Sequence, residues 1–153
     1  MEEFEKNLQD AVKHLKIADH MTYVTFPLVN EHRLLLKIFD EIYLSIVFCV
    51  NTILNYEYLY KRIKLYSDYD SNLDTFIKVA KNYSLSNEQI KRIKEIINLN
   101  KKHKKSAIEF VKRDKVVIMS DNLGTQVLDL VVIKQYLLLA KELLMKVNGK
   151  VKN

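Results

Sequence analysis

The chain of 153 residues contains two glycines, one proline, one cysteine and no tryptophan. Each scarcity excludes something. Folds built mainly of strands need a turn about every 8–12 residues, and Gly124, Gly149 and Pro27 cannot punctuate them. The same poverty excludes the glycine-rich phosphate loops and the nucleophile elbow. With Cys49 alone there is no intrachain disulfide and no thiolate zinc site. Its place in the apolar run Ser45-Ile46-Val47-Phe48-Cys49-Val50 predicts a buried, inert thiol. Long hydrophobic runs are lacking too. Lys37, Asp40 and Glu41 interrupt the stretch Leu34 to Leu54, and what remains from Ile42 is too short for the ~30 Å of a bilayer core. The opening Met1-Glu2-Glu3-Phe4-Glu5 is acidic, the reverse of a secretory signal. These features predict a cytoplasmic protein with no membrane contact.

What is present is helical periodicity. The length suits one domain, 1–153, with one ordinary core. Phe4, Leu8, Ala11, Leu15 and Ala18 recur at spacings of three and four, one face of a first helix. Pro27 ends the run that follows, and Asn30 is placed to cap a second helix. From Glu31 to Tyr66 no breaker occurs, which predicts a long central helix of about 50 Å, apolar almost all round for much of its length. Ser67-Asp68-Tyr69-Asp70-Ser71-Asn72 reads as a turn cluster, and Leu73, Phe76, Ile77, Ala80 and Tyr83 as the face of a short third helix. Ser86 with Gln89 is a capping-box pair opening a fourth, whose buried face is Ile90, Ile93, Ile96, Ile97 and Leu99. The pattern then changes. Glu109 to Lys112 and Lys115 to Met119, about an Arg113-Asp114 turn, predict a small β-hairpin near 108–119. Ser120 to Gly124 reads as a loop. Leu130, Ile133, Leu137, Ala140, Leu144 and Val147 mark a last helix, which Asn148-Gly149 should stop. The expected fold is all-α, a five-helix bundle around a long second helix, with one small hairpin.

The net charge of +6 is unevenly spread. Residues 91–115 hold ten basic residues against Glu95, Glu109 and Asp114, so this segment carries +7 and the rest of the chain −1. The helix dipole accounts for one or two lysines at the end of the fourth helix. It does not account for Lys101, Lys102, Lys104 and Lys105 continuing into Lys112, Arg113 and Lys115. A polyanion partner, RNA above all, is the functional reading, because each neutralised phosphate releases counterions. A solvated basic face and an acidic protein partner compete with it. In Tyr56-Glu57-Tyr58-Leu59-Tyr60-Lys61-Arg62-Ile63-Lys64-Leu65-Tyr66, aromatics alternate with cations as in base-stacking surfaces. Tyr56, Tyr60 and Ile63 share a helix face, however, and core packing is the better expectation there.

Chemistry is harder to find. The histidines are His14, His20, His32 and His103, and no Glu precedes a His by three positions, which removes the zinc-protease and di-iron bundle signatures. No metal or cofactor is expected. Asp10 and His14, four apart, suggest an exposed pair. His103 is the one weak catalytic candidate: flanking lysines disfavour its protonated form, and a neutral imidazole beside cations suits phosphodiester cleavage. The alternative is a surface histidine within a lysine run.

The long second helix, with a polar motif near the fourth, resembles HEPN-type helical domains, which are associated with RNA cleavage and nucleotide-related systems. That family's ribonucleases carry Arg, four to six residues, then His. Here Arg92 lies eleven positions before His103 and no other Arg meets the spacing, so only His103 carries over. The phrases His20-Met21-Thr22-Tyr23-Val24-Thr25-Phe26-Pro27-Leu28-Val29 and His103-Lys104-Lys105-Ser106-Ala107-Ile108-Glu109-Phe110-Val111 also look like those of small archaeal helical proteins, a likeness that brings no activity with it. The expectation is a non-enzymatic binding module contacting RNA or another polyanion through Lys101, Lys102, Lys104, Lys105, Lys112 and Arg113. The alternatives are a module for homodimerisation or for a helical protein partner, using apolar residues such as Val131, Val132, Leu138, Leu139 and Leu143, and a divergent metal-independent ribonuclease.

Overall fold

The computed structural model describes residues 1–105, 108–119 and 124–152. Helix α1 (Glu3–His20) leads through a π-helical turn, Met21–Thr25, into the single turn α2 (Phe26–Val29). Then come α3 (Leu34–Leu59), α4 (Tyr69–Ala80) with a 3₁₀ turn at Lys81–Tyr83, and α5 (Asn87–Lys105). Strands β1 (Ile108–Lys112), β2 (Lys115–Met119) and β3 (Thr125–Leu128) precede α6 (Leu130–Val151). The molecule is predominantly helical, with five long helices and a small antiparallel sheet in the order β1-β2-β3. The expected hairpin is present. Its third strand is an addition to the expectation, and of the expected 120–124 loop, 120–123 lie outside the described residues.

Helix α3 is the axis of the core. Leu35, Ile38, Phe39, Ile42, Ile46, Cys49 and Ile53 have no exposed surface, and α3 makes its most extensive contacts with α1 and then α6. Small residues allow α1 to lie close: Ala11 and Ala18 are fully buried, and the Ser45 hydroxyl donates to the Ala11 carbonyl at 2.8 Å. Burial pushes the Cys49 thiol well up from its ordinary range, as expected of an inert residue. The faces foreseen for α1, α4, α5 and α6 point inward, with Ile93, Ile96, Phe76, Ile133 and Ala140 all fully buried. The Ser86–Gln89 capping box forms in both directions, at 2.9 and 3.1 Å.

Several boundaries differ from expectation, each for a local reason. Pro27 does not simply end a helix. Lacking an N–H, it withholds the bond to the carbonyl four residues back, and the chain upstream widens to a π-turn in which the Phe26 N–H donates to the Met21 carbonyl. Asn30 does not open α3. It adopts a left-handed conformation (φ 53°) and closes α2 with its N–H on the Phe26 carbonyl at 2.8 Å, and the Glu31 carboxylate meets the Arg33 N–H instead. Helix α3 spans 26 residues, about 39 Å, not the ~50 Å of an unbroken run to Tyr66. Its stop is a Schellman motif with Lys61 left-handed (φ 60°): the Lys61 N–H reaches the Tyr58 carbonyl and the Arg62 N–H that of Glu57. The buried Glu57 carboxylate then takes the Arg62 guanidinium, locking the turn. The same motif with Ser84 at φ 60° ends the 3₁₀ turn. Gly149 does not stop α6. Val147 and Val151 bury on either side of it, and Lys146 and Lys150 donate to the Ser84 and Asn82 carbonyls, carrying the helix to Val151.

Candidate nucleic-acid interface

The two-residue turn Arg113-Asp114 sets the register of the sheet. Lys112 faces Lys115, Val111 faces Val116, Phe110 faces Val117 and Glu109 faces Ile118. On β3, Leu128 faces Val116 and Val127 faces Val117. Because side chains alternate across a strand, these pairs sort into two faces. The inner face carries Val116, Ile118 and Leu128, all buried, with Val111 packed against the core. The outer face carries the row Phe110–Val117–Val127 and, one pleat further, the row Lys112–Lys115.

Arg113 occupies a left-handed position (φ 58°) at the tip, where Asn or Gly is most stable. Like charges directly across an antiparallel pair cost about 0.2–1 kcal/mol, and Lys112 opposite Lys115 is such a pair. Both costs fall on the same four residues. Lys112, Arg113, Asp114 and Lys115 with Val117 and Val127 line an open concavity of about 600 Å³.

The remaining basic residues lie beyond the other end of β1. Lys102, Lys104 and Lys105 are exposed on the last turn of α5. Neither they nor Lys112, Arg113 and Lys115 make an ion pair among the described residues. Lys101 is different: it lies 3.9 Å from Asp70 and 5.4 Å from the centre of the Tyr69 ring. Burial, with Tyr43 and Asp70 close by, pushes the Tyr69 phenol up to about 12. Of the six cations expected to act together, five are exposed without a carboxylate and Lys101 is engaged by α4. They form two clusters at opposite ends of β1, about 13 Å of strand.

His103 is not a surface histidine. Its side chain is 13% exposed, with Nδ1 2.8 Å from Glu109 on β1 and Nε2 3.2 Å from Asp40 on α3. The ring lies edge-on to Phe39 at 6.4 Å. Carboxylates, not the neighbouring lysines, are its nearest charges: Nδ1 is hydrogen-bonded to Glu109, and the Asp40 oxygen close to Nε2 is buried without a hydrogen-bond partner among the described residues. The signal was in the periodicity, since His103 follows Ile96 and Asn100 on the buried face of α5. Its role here is to tie the end of α5 and the start of the sheet to α3. His14 behaves similarly. Its partner is Glu41 of α3 at 2.6 Å, not Asp10, and its ring stacks on Phe48. Adjacent acidic residues of the central helix thus hold histidines from two different elements. Among the described residues no group of three or more His, Cys, Asp or Glu side chains is arranged to hold a metal ion.

The tyrosine-rich segment is neither a core strip nor an open stacking surface. Tyr56 packs edge-on to Phe4 at 5.1 Å, while Tyr60 is 55% exposed. The Arg62 guanidinium lies over both rings at 5.6 and 5.0 Å, covering the faces a base would use. On α6, Leu139 and Leu143 bury in the bundle, leaving Val131, Leu138 and Met145 exposed at seven-residue intervals. No helix among the described residues is long and apolar enough to cross a membrane. No protein-family model, curated protein or solved structure matches the chain.

Proposed function

We propose that the protein is a non-enzymatic RNA-binding module whose phosphate contacts come from Lys102, Lys104 and Lys105 on one side of β1 and Lys112, Arg113 and Lys115 on the other. The observation that carries this reading is the hairpin tip. Three cations sit in four residues, two of them directly opposed and the third at a backbone position better suited to glycine. A solvated face has no need of that arrangement, whereas a phosphate between opposed lysines removes their repulsion. Lysine and arginine contacts of this kind position a backbone and read no sequence.

Fluorescence anisotropy with single-stranded RNA at about 50 and about 200 mM salt tests it. If all six cations contact phosphate, the single-strand slope is about −0.7 per contact, or about −4 in total, and affinity falls about 300-fold between those salts. Replacing Lys112, Arg113 and Lys115 by Gln should halve the slope. Reversing Lys102, Lys104 and Lys105 to Glu should abolish binding with helicity unchanged. Binding that ignores both sets would refute the reading. The RNA recovered from the same samples should be intact, because the His103 ring is largely buried and its Nδ1 is already hydrogen-bonded to Glu109.

A second reading, homodimerisation through α6, is favoured by the heptad-spaced stripe Val131, Leu138 and Met145, a spacing that suits pairing of two helices. Sedimentation over a range of concentrations decides it: a dimer that Leu138→Glu dissociates supports it, and a monomer throughout removes it.

A further inference from the structure

The outer face of the sheet carries more than charge. Phe110, Val117 and Val127 form one continuous cross-strand row on the side away from the bundle. Val127 is 44% exposed, Phe110 and Val117 are partly buried, and among the described residues none of the three packs against the core. An outward apolar row on a three-stranded sheet with two edges invites non-specific strand pairing. Here it borders the row of Lys112 and Lys115 and the tip cation Arg113, and Val117 and Val127 share their concavity. Alternate residues on a strand lie about 7 Å apart, roughly the separation of a nucleobase from its own phosphate.

We infer that this face is a stacking platform for unpaired nucleobases, with Phe110 as the ring on which a base lies, Val117 and Val127 as its apolar floor, and Lys112, Arg113 and Lys115 holding the phosphates. The inference rests on the RNA-binding reading and narrows it to single strands. In a duplex the base faces are already stacked and closed to a side chain, whereas an aromatic residue on an open sheet bordered by cations can accept any splayed base. The site would tolerate many sequences, since every base has a π-face.

Phe110 can be tested directly because the chain contains no tryptophan. Phe110→Trp places a lone indole in the platform, and its emission should be quenched when a short oligouridylate is added. Phe110→Ala should weaken oligouridylate binding about tenfold or more, the equivalent of one base stack. It should leave the salt slope and the affinity for a duplex RNA of equal length unchanged. If Phe110→Ala binds oligouridylate as the parent does, or if Phe110→Trp binds without quenching, the platform is refuted. The RNA-binding reading still stands in that case, provided that the Lys112, Arg113 and Lys115 replacements lower affinity. If the parent chain binds neither RNA at low salt, both fail together. Because Phe110→Trp keeps an aromatic ring in place, its quenching decides between stacking and no stacking even if Phe110→Ala disturbs the sheet.

Discussion

Lys61 offers a quantitative test of how this glycine-poor chain turns corners. It occupies the left-handed position of the Schellman motif that ends α3, with φ 60° and no glycine to relieve it. A side chain in that conformation costs roughly 1–2 kcal/mol through the contact of Cβ with the following carbonyl. Glycine removes the contact but gives the unfolded chain about 0.5–1 kcal/mol of extra freedom. The difference predicts that Lys61→Gly stabilises the fold by about 0.5–1 kcal/mol, or a rise in Tm of about 1–4 °C for a chain of this size. One confounder is charge, since Lys61 lines a shallow concavity with Glu2 and Glu3. Lys61→Ala controls for it by removing the ammonium while keeping the Cβ. Thermal and urea melts followed by circular dichroism should order the variants with Gly above both Ala and the parent. If Ala gains as much as Gly, the effect is electrostatic and the backbone argument is wrong. If Gly loses stability, the left-handed turn is not what stops α3.

Two further predictions come from the same melts. Gly149 lies exposed inside α6, and beyond the backbone of its own turns a Cβ there would meet no heavy atom of the described residues within 4 Å, so Gly149→Ala should add about 0.5–1 kcal/mol; a lower midpoint would mean that α6 ends before it in solution. Burial, and secondarily the Glu57 carboxylate, raises the Tyr83 phenol pKa above its ordinary value. The folded state therefore keeps a proton that the unfolded state releases, and this contribution is complete below about pH 10 and lost as pH rises further. The Tyr83 hydroxyl has no hydrogen-bond partner among the described residues. Tyr83→Phe should accordingly match or exceed the parent at neutral pH and lose stability less steeply above about pH 10; a steeper alkaline loss would contradict the assignment.

Where a single period governs a segment, the sequence was legible. Helices α1, α5 and α6 show their inner faces as runs of three and four, and Ser86 with Gln89 announces its cap, because these depend on neighbours in the chain. Two of the misplaced ends, those at Asn30 and Lys61, share one cause: left-handed residues are conventionally sought as glycine, and here Asn30 and Lys61 take that role, as Ser84 and Arg113 do elsewhere. Nothing local marks Lys61; it is the Glu57–Arg62 pair, closed only in the folded state, that fixes the turn. At the candidate site the cations were visible as composition. The engagement of Lys101 by Asp70, and of His103 by Asp40 and Glu109, joins elements distant in sequence and so could not be read from spacing. The outer row containing Phe110 was nearer to hand. Once Arg113-Asp114 is taken as a two-residue turn, the pairing of Phe110 with Val117 follows by counting back along both strands.

The order in which the chain is made bears on how α3 is completed. Its contact with α1 joins neighbouring segments, so that pair can form as soon as residue 59 is free. Its second large contact is with α6, which begins at residue 130 and ends at residue 151. At about 5–20 residues per second, a nascent chain would wait roughly 5–20 s between the two events. For that interval one flank of the most apolar helix in the molecule has no cover. Chains interrupted before residue 130 should therefore be captured by holdase chaperones or aggregate. The intervening residues, the basic hairpin among them, are synthesised while that flank is open, and the strongly charged 91–115 segment is then the part of the unfinished chain that keeps such molecules apart.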